Sequence, residues 1–223
     1  MRSSGRFGDP TAGIPGRRLF VATPLPDEAT QAMAAVVDEV RAAALPDGAR
    51  DVRWVRMDGL HLTLRFIGPT LDDRLPLAIA AVLAVAADSG PIAVTLEGSG
   101  TFPPNGRPRA LWIGVSRGAD EFGELTARLN EALAEQGWPN DDRPFRPHLT
   151  LARSDGVAAG TLVAGRLASA MSDRRIGFQV ESLGLFESLT GGGPARYVAL
   201  AAAPLGSAGP SDRVYHPGTP NLS

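Results

Sequence analysis

The chain has 223 residues, 43% of them apolar, and a formal net charge of -2. That suits one domain, or two small lobes on a shared core, and gives no broad positive field for nucleic acid. No cysteine is present and every basic residue is arginine, which excludes disulfides, zinc ribbons, thiol catalysis, a P-loop lysine and Schiff-base or lysyl-nucleotide chemistry.

In chain order, residues 1–16 are polar and rich in Gly and Pro and read as a loose tail; they carry no apolar run of the kind a secretory signal needs. Arg18 to Thr23 reads as a buried strand. Pro26-Asp27-Glu28 opens a helix whose apolar face includes Met33, Val36, Val37 and Val40. Strands follow at Val52 to Val55 and Leu60 to Ile67. Thr70 is placed to cap a helix running to about Asp88, with Leu71, Leu75, Ile79, Val82 and Leu83 towards the core and Gly90 ending it. This run, Leu75 to Ala87, is too short to cross a bilayer. Ile92, Val94 and Leu96 alternate as strand residues do.

The order then repeats. Ala110 to Val115 is a strand; Phe122, Leu125, Leu129 and Leu133 mark a helix closed near Gly137. His148 to Ala152 is a strand, Val157 to Met171 a weaker helix, and strands lie near Phe178 to Phe186 and Tyr197 to Leu200. Residues 206–223 form a second tail, which contains His216. Two strand–helix–strand–helix–strand halves, about ninety residues apart, predict a pseudo-symmetric α+β body over residues 17–205 with sheets meeting at a central cleft. Without a membrane segment or a signal, the expectation is a cytoplasmic monomer.

Equivalent strands of the two halves carry His61-Leu62-Thr63-Leu64 and His148-Leu149-Thr150-Leu151. Strand alternation points His and Thr of each motif to one face and the leucines to the other. Two imidazoles and two hydroxyls facing one cleft suit the opening of a cyclic phosphodiester. One imidazole takes a proton from water, the other gives one to the departing sugar oxygen, and the Thr63 and Thr150 hydroxyls donate to the non-bridging oxygens. The scheme needs neither metal nor cofactor, and three histidines show no zinc-ligand spacing.

This pair of H-x-T-x motifs resembles the 2H phosphoesterase superfamily, and within it the bacterial RNA 2′,3′-cyclic phosphodiesterase (2′-5′ RNA ligase) family. The likeness runs from RRLFVATPLPDE (17–28) through GLHLTLRFIG (59–68), ALWIGV (110–115), RPFRPHLTLAR (143–153) and LFES (185–188) to RYVAL (196–200). The resemblance implies a bilobal fold of two antiparallel sheets around a cleft with helices outside. It implies hydrolysis of RNA or nucleotide 2′,3′-cyclic phosphate ends to 2′-phosphates, with His61 as proton donor and His148 as proton acceptor. Nothing else in the sequence assigns those two roles.

Arg146, Arg153 and Arg65 are the candidate phosphate contacts, since one guanidinium grips phosphate bidentately. Arg146 and Arg65 share parity with the motif histidines. Arg153 matches the family's H-x-T-L-x-R pattern, but strict alternation turns it away unless the strand ends or bulges there. Phe66 and Phe145 read as core or cleft wall. Two rival functions are carried forward. One is a serine esterase built on Gly114-Val115-Ser116-Arg117-Gly118, a G-x-S-x-G run between strand and helix. The other is a non-catalytic module that binds RNA ends, which turnover would exclude.

Overall fold

Nine strands form one curled antiparallel sheet whose two arms join through a single ladder pair between the two motif strands, and that pair positions the two motif histidines. A computed structural model describes residues 14–43, 52–154, 158–189 and 195–206. The elements in chain order are β1 (Arg17–Pro24), α1 (Asp27–Ala42), β2 (Val52–Trp54), β3 (His61–Thr70), α2 (Leu75–Ala87), β4 (Ile92–Phe102) and β5 (Ala110–Arg117). They continue with α3 (Ala119–Glu135), β6 (His148–Ser154), α4 (Ala158–Met171), β7 (Arg175–Val180), β8 (Ser182–Leu189) and β9 (Arg196–Pro204). The strand order is β7-β4-β5-β6-β3-β1-β8-β9, with β2 on the edge of β6.

Between β3 and β6 the only paired residues are Leu62 and Leu149. One lobe is therefore β3-β1-β8-β9, backed by α2 and α3; the other is β7-β4-β5-β6 with β2, backed by α1 and α4. The lobes are not the two halves of the sequence. β4 joins β7 and β1 joins β8, so each lobe draws strands from both halves. A repeated element order shows that units are alike, while antiparallel partner choice is a long-range matter.

Helix formation follows the expected physics. In α1 the buried residues Ala29, Met33, Val36, Val37 and Val40 form one stripe, with Pro26 at the N-cap and Asp27 and Glu28 in the first turn. In α3, Phe122, Leu125, Leu129 and Leu133 are buried, and Gly137, at φ +85°, turns the chain away at its end. The start of α2 differs from expectation. Thr70 is not its cap but the last residue of β3, with its hydroxyl donating to the Gly68 carbonyl at 3.3 Å. A short 3₁₀ turn, Asp72–Arg74, intervenes before the helix. Leu71 is left 53% exposed, and the small residues Ala78, Ala81 and Ala86 are buried with Val82 and Val85. An almost uniformly apolar helix offers no periodic contrast from which its buried face could be read.

The core lies between helices and sheets and includes Leu62, Leu64, Leu149 and Leu151 from the motif strands. The opposite faces of both sheets form the cleft. No helix among the described residues is long and apolar enough to cross a membrane. The terminal segments 1–13 and 207–223, and with them His216, lie outside the described residues.

Candidate active site

The four motif side chains stand where alternation puts them. His61, Thr63, His148 and Thr150 are partly exposed, while Leu62, Leu64, Leu149 and Leu151 are buried. Because β3 and β6 are antiparallel and pair at Leu62–Leu149, His61 lies opposite Thr150 and Thr63 opposite His148. Each imidazole thus has a hydroxyl across the gap, and the histidines sit on the diagonal. In a regular ladder that diagonal is about 7–8 Å.

Both rings are held alike. His61 Nδ1 lies 2.7 Å from the Gly59 carbonyl, and His148 Nδ1 lies 2.7 Å from the Arg146 carbonyl. A carbonyl only accepts, so each Nδ1 carries the proton and donates, leaving Nε2 for the cleft. Aromatic rings fix the imidazole planes. Tyr197 meets His61 edge-on at 4.9 Å, with Phe20 at 5.0 Å; Phe102 meets His148 edge-on at 5.0 Å, with Trp112 at 6.1 Å. These rings come from β9, β1, β4 and β5. The sequence marked Phe20, Trp112 and Tyr197 as strand residues and did not single out Phe102, but only cross-strand pairing brings the four to the histidines.

Burial holds His61 below the ordinary imidazole pKa, against the pull of the Gly59 carbonyl and with help from the charges of Arg153 and His148. Burial likewise lowers His148, the Arg146 carbonyl opposing and Arg153 again adding to the shift.

The arginines divide according to two β-bulges, one at the last residue of each motif. Across β1 and β3, Val21 pairs Arg65 and Ala22 pairs Thr63, so Leu64 is the extra residue. Across β5 and β6, Leu111 pairs Ala152 and Trp112 pairs Thr150, so Leu151 is the extra residue. Each bulge reverses the parity that follows. Arg65, expected in the cleft, is turned into the interior and is 6% exposed. Its guanidinium donates to the Phe66 and Pro139 carbonyls and pairs with Asp141 at 3.4 Å. It ties β3 to the loop that leads into the second motif, and the expectation that it lines the cleft is corrected.

Arg153 goes the other way. The bulge that strict alternation lacked brings it, exposed, onto the face of Thr150. The same reversal in β3 puts Phe66, 54% exposed, on the cleft face beside Phe20. Arg146 is exposed, and its carbonyl holds His148; Phe145 packs against the core. Ser116 is exposed at the end of β5 with its hydroxyl 3.4 Å from the Thr95 carbonyl, and among the described residues no imidazole is paired with it.

A family model described as the 2′-5′ RNA ligase superfamily matches residues 20–192. The chain belongs to this superfamily. Among curated relatives in the superfamily, an RNA 2′,3′-cyclic phosphodiesterase of Geobacillus stearothermophilus is 37% identical over 134 residues, 60% of this chain and 41% of that protein. One of Thermus thermophilus is 35% identical over 150 residues, 63% of this chain and 70% of its own length. The matched region therefore spans well under half of the Geobacillus relative. Among solved structures, TT0787 of Thermus thermophilus superposes with a TM-score of 0.67 at 28% identity, covering 85% of this chain and 98% of that one. Escherichia coli LigT in its apo form gives 0.61 at 26%, covering 85% and 97%. The bilobal α+β arrangement is thus the superfamily's own, that of a 2H phosphoesterase.

Proposed function

We propose that this protein opens RNA 2′,3′-cyclic phosphate ends to 2′-phosphates, using His61 and His148 as a metal-independent acid–base pair. The relatives carrying the name RNA 2′,3′-cyclic phosphodiesterase support the reaction class. The observation that carries the mechanism is the matched pair of imidazoles, each with Nδ1 committed to a backbone carbonyl.

The reaction uses each Nε2 once. A water attacks phosphorus in line with O3′; His148 Nε2 takes its proton, the P–O3′ bond breaks, and His61 Nε2 gives its proton to O3′. The product carries a 2′-phosphate and a free 3′-hydroxyl, and a proton exchange with solvent resets the pair. The direction of this relay follows the family resemblance, because the geometry around the two rings is nearly symmetric. Thr63 and Thr150 donate hydrogen bonds to the non-bridging oxygens. Arg153 supplies positive charge to the bound phosphate, with Arg146 on the rim. The bound anion raises the pKa of the donor imidazole, which lets a ring depressed in the free protein hold its proton in the complex. All these groups come from one chain, so a monomer suffices, and the partner is RNA or a nucleotide bearing the cyclic phosphate.

A short oligonucleotide of defined sequence ending in a 2′,3′-cyclic phosphate tests the proposal. The expected product is the 2′-phosphate, formed equally well in EDTA. His61→Ala and His148→Ala should each lower kcat by about 10²- to 10⁴-fold. Full turnover by either folded variant, or retention of the cyclic end by the wild type, overturns the hydrolase reading.

A further inference from the structure

The two motif histidines are held by matching hydrogen bonds, but the carbonyls that hold them are placed by different means. The Gly59 carbonyl, which accepts from His61 Nδ1, belongs to a 3₁₀ turn, Met57–Gly59, closed by its own backbone. There Gly59 N–H donates to the Arg56 carbonyl at 3.0 Å and Leu60 N–H to the Met57 carbonyl at 3.2 Å. The Arg146 carbonyl, which accepts from His148 Nδ1, lies in a run, residues 139–147, that forms no helix or strand. Three of its members, Pro139, Pro144 and Pro147, have no amide N–H to give.

Side chains hold this run instead. Arg65, buried just beyond the first motif on β3, donates to the Pro139 carbonyl and faces the Asp141 carboxylate at 3.4 Å. Arg143 closes on the same carboxylate, Nε at 2.7 Å from Oδ1 and Nη2 at 2.6 Å from Oδ2, with its amide N–H donating to Oδ1 at 3.3 Å. Phe145, next to Arg146, packs against the core. Asp141 is thus gripped from two sides, by a buried guanidinium of β3 and by an exposed one of its own run. Arg65 Nε is buried with no hydrogen-bond partner among the described residues. The guanidinium gives up part of its bonding to put its two terminal nitrogens at Phe66, Pro139 and Asp141.

We propose that Arg65, through Asp141 and the Pro139 carbonyl, is a positioning residue for His148: it fixes the run whose Arg146 carbonyl directs the second imidazole. The strand of the first motif thereby controls the ring of the second. Arg65 itself points away from the cleft and touches no reacting atom. The consequence for turnover rests on the hydrolase reading, while the placement of the ring stands without it. Lysine is a poor substitute, since a compact ammonium lacks the rigid fork that meets three acceptors at once.

Nitrogen-15 spectra of the imidazoles, assigned with His61→Ala and His148→Ala, test the placement, and His61 is the internal control. In Arg65→Gln and Asp141→Asn the His148 Nδ1–H signal should shift and exchange faster with solvent, while that of His61 stays as in the wild type. In the same variants kcat for a 2′,3′-cyclic nucleotide should fall by about 10- to 10²-fold, the effect of displacing a reacting group by an ångström or less. KM should stay within about twofold, since no substrate contact is removed. Arg65→Lys should recover only part of kcat. Arg143→Gln, an exposed change, should show a weaker effect of the same kind and keeps the test open if Arg65→Gln does not fold. A His148 signal unchanged in every folded variant refutes the positioning role, and so do His61 and His148 signals that are lost together. Where the wild type turns over, full kcat in folded Arg65→Gln refutes it as well. A wild type without turnover, whose His148 signal still depends on Arg65, sinks the hydrolase reading and supports the positioning role.

Discussion

In the proposed reaction each histidine works through Nε2 because Nδ1 is already spent on a carbonyl two residues back. That arrangement fixes the tautomer and the ring direction before substrate arrives. Burial and the Arg153 charge favour the neutral imidazole, so both folded-state pKa values lie below the usual 6.5. A pair that needs one protonated and one neutral ring then works best on the acid side of that value. The bell-shaped profile of kcat/KM in the free protein should be centred below about pH 6.5, its limbs belonging to the coupled pair. A centre above neutrality would contradict this account. Arg153→Gln removes a positive charge felt by both rings, so both limbs should move to higher pH, apart from any loss in substrate affinity.

At the scale of elements, the two bulges decide which side chains reach the cleft. The two terminal nitrogens of Arg65 engage Pro139, Phe66 and Asp141, while Arg143 grips the same carboxylate at 2.6 Å and helps hold the Asp141 pKa at about 2. Arg65→Met should lower unfolding free energy by about 2–4 kcal/mol in urea titrations, because it strips partners from a buried carbonyl and a carboxylate. KM for a cyclic nucleotide should hold steady, whereas a phosphate ligand in that position would raise it. The β4–β5 pair makes a second, sharper prediction. Gly100 lies opposite Trp112, and a Cβ there would come within 2.2 Å of the indole ring. Trp112 would have to move, and it packs beside Phe102 and His148. Gly100→Ala should therefore cost about 1–3 kcal/mol of stability and reduce kcat, with wild-type KM for small substrates.

Across the whole molecule, the lobes interleave: β1 and β3 from early in the chain share a sheet with β8 and β9 from its end, and β4 from the first half pairs with β7 from the second. Neither sequence half contains a complete lobe. A fragment ending at Gly106, in the β4–β5 connection, should give no cooperative unfolding transition, whereas the full chain should unfold in one. Two separable transitions in the full chain would mean the lobes are energetically independent. Leu62–Leu149 is the one ladder pair joining β3 to β6, which makes that pair sensitive, since both leucines are fully packed. Leu149→Ala should cost about 2–5 kcal/mol, read from denaturant midpoints.

The amino-acid sequence by itself determined the elements with strong periodicity, α1 and α3, the motif strands, and the shared face of His61, Thr63, His148 and Thr150. These are local properties, written as period 3.6 or period 2 and as repeated letters. Tertiary structure alone decided the sheet partners, the bulges, and hence the reversed positions of Arg65 and Arg153. It also brought Tyr197, Phe20, Phe102 and Trp112 to the imidazoles. A bulge depends on the register of the neighbouring strand, and register is settled by which distant segments pack together, so no window of sequence around either arginine contains it.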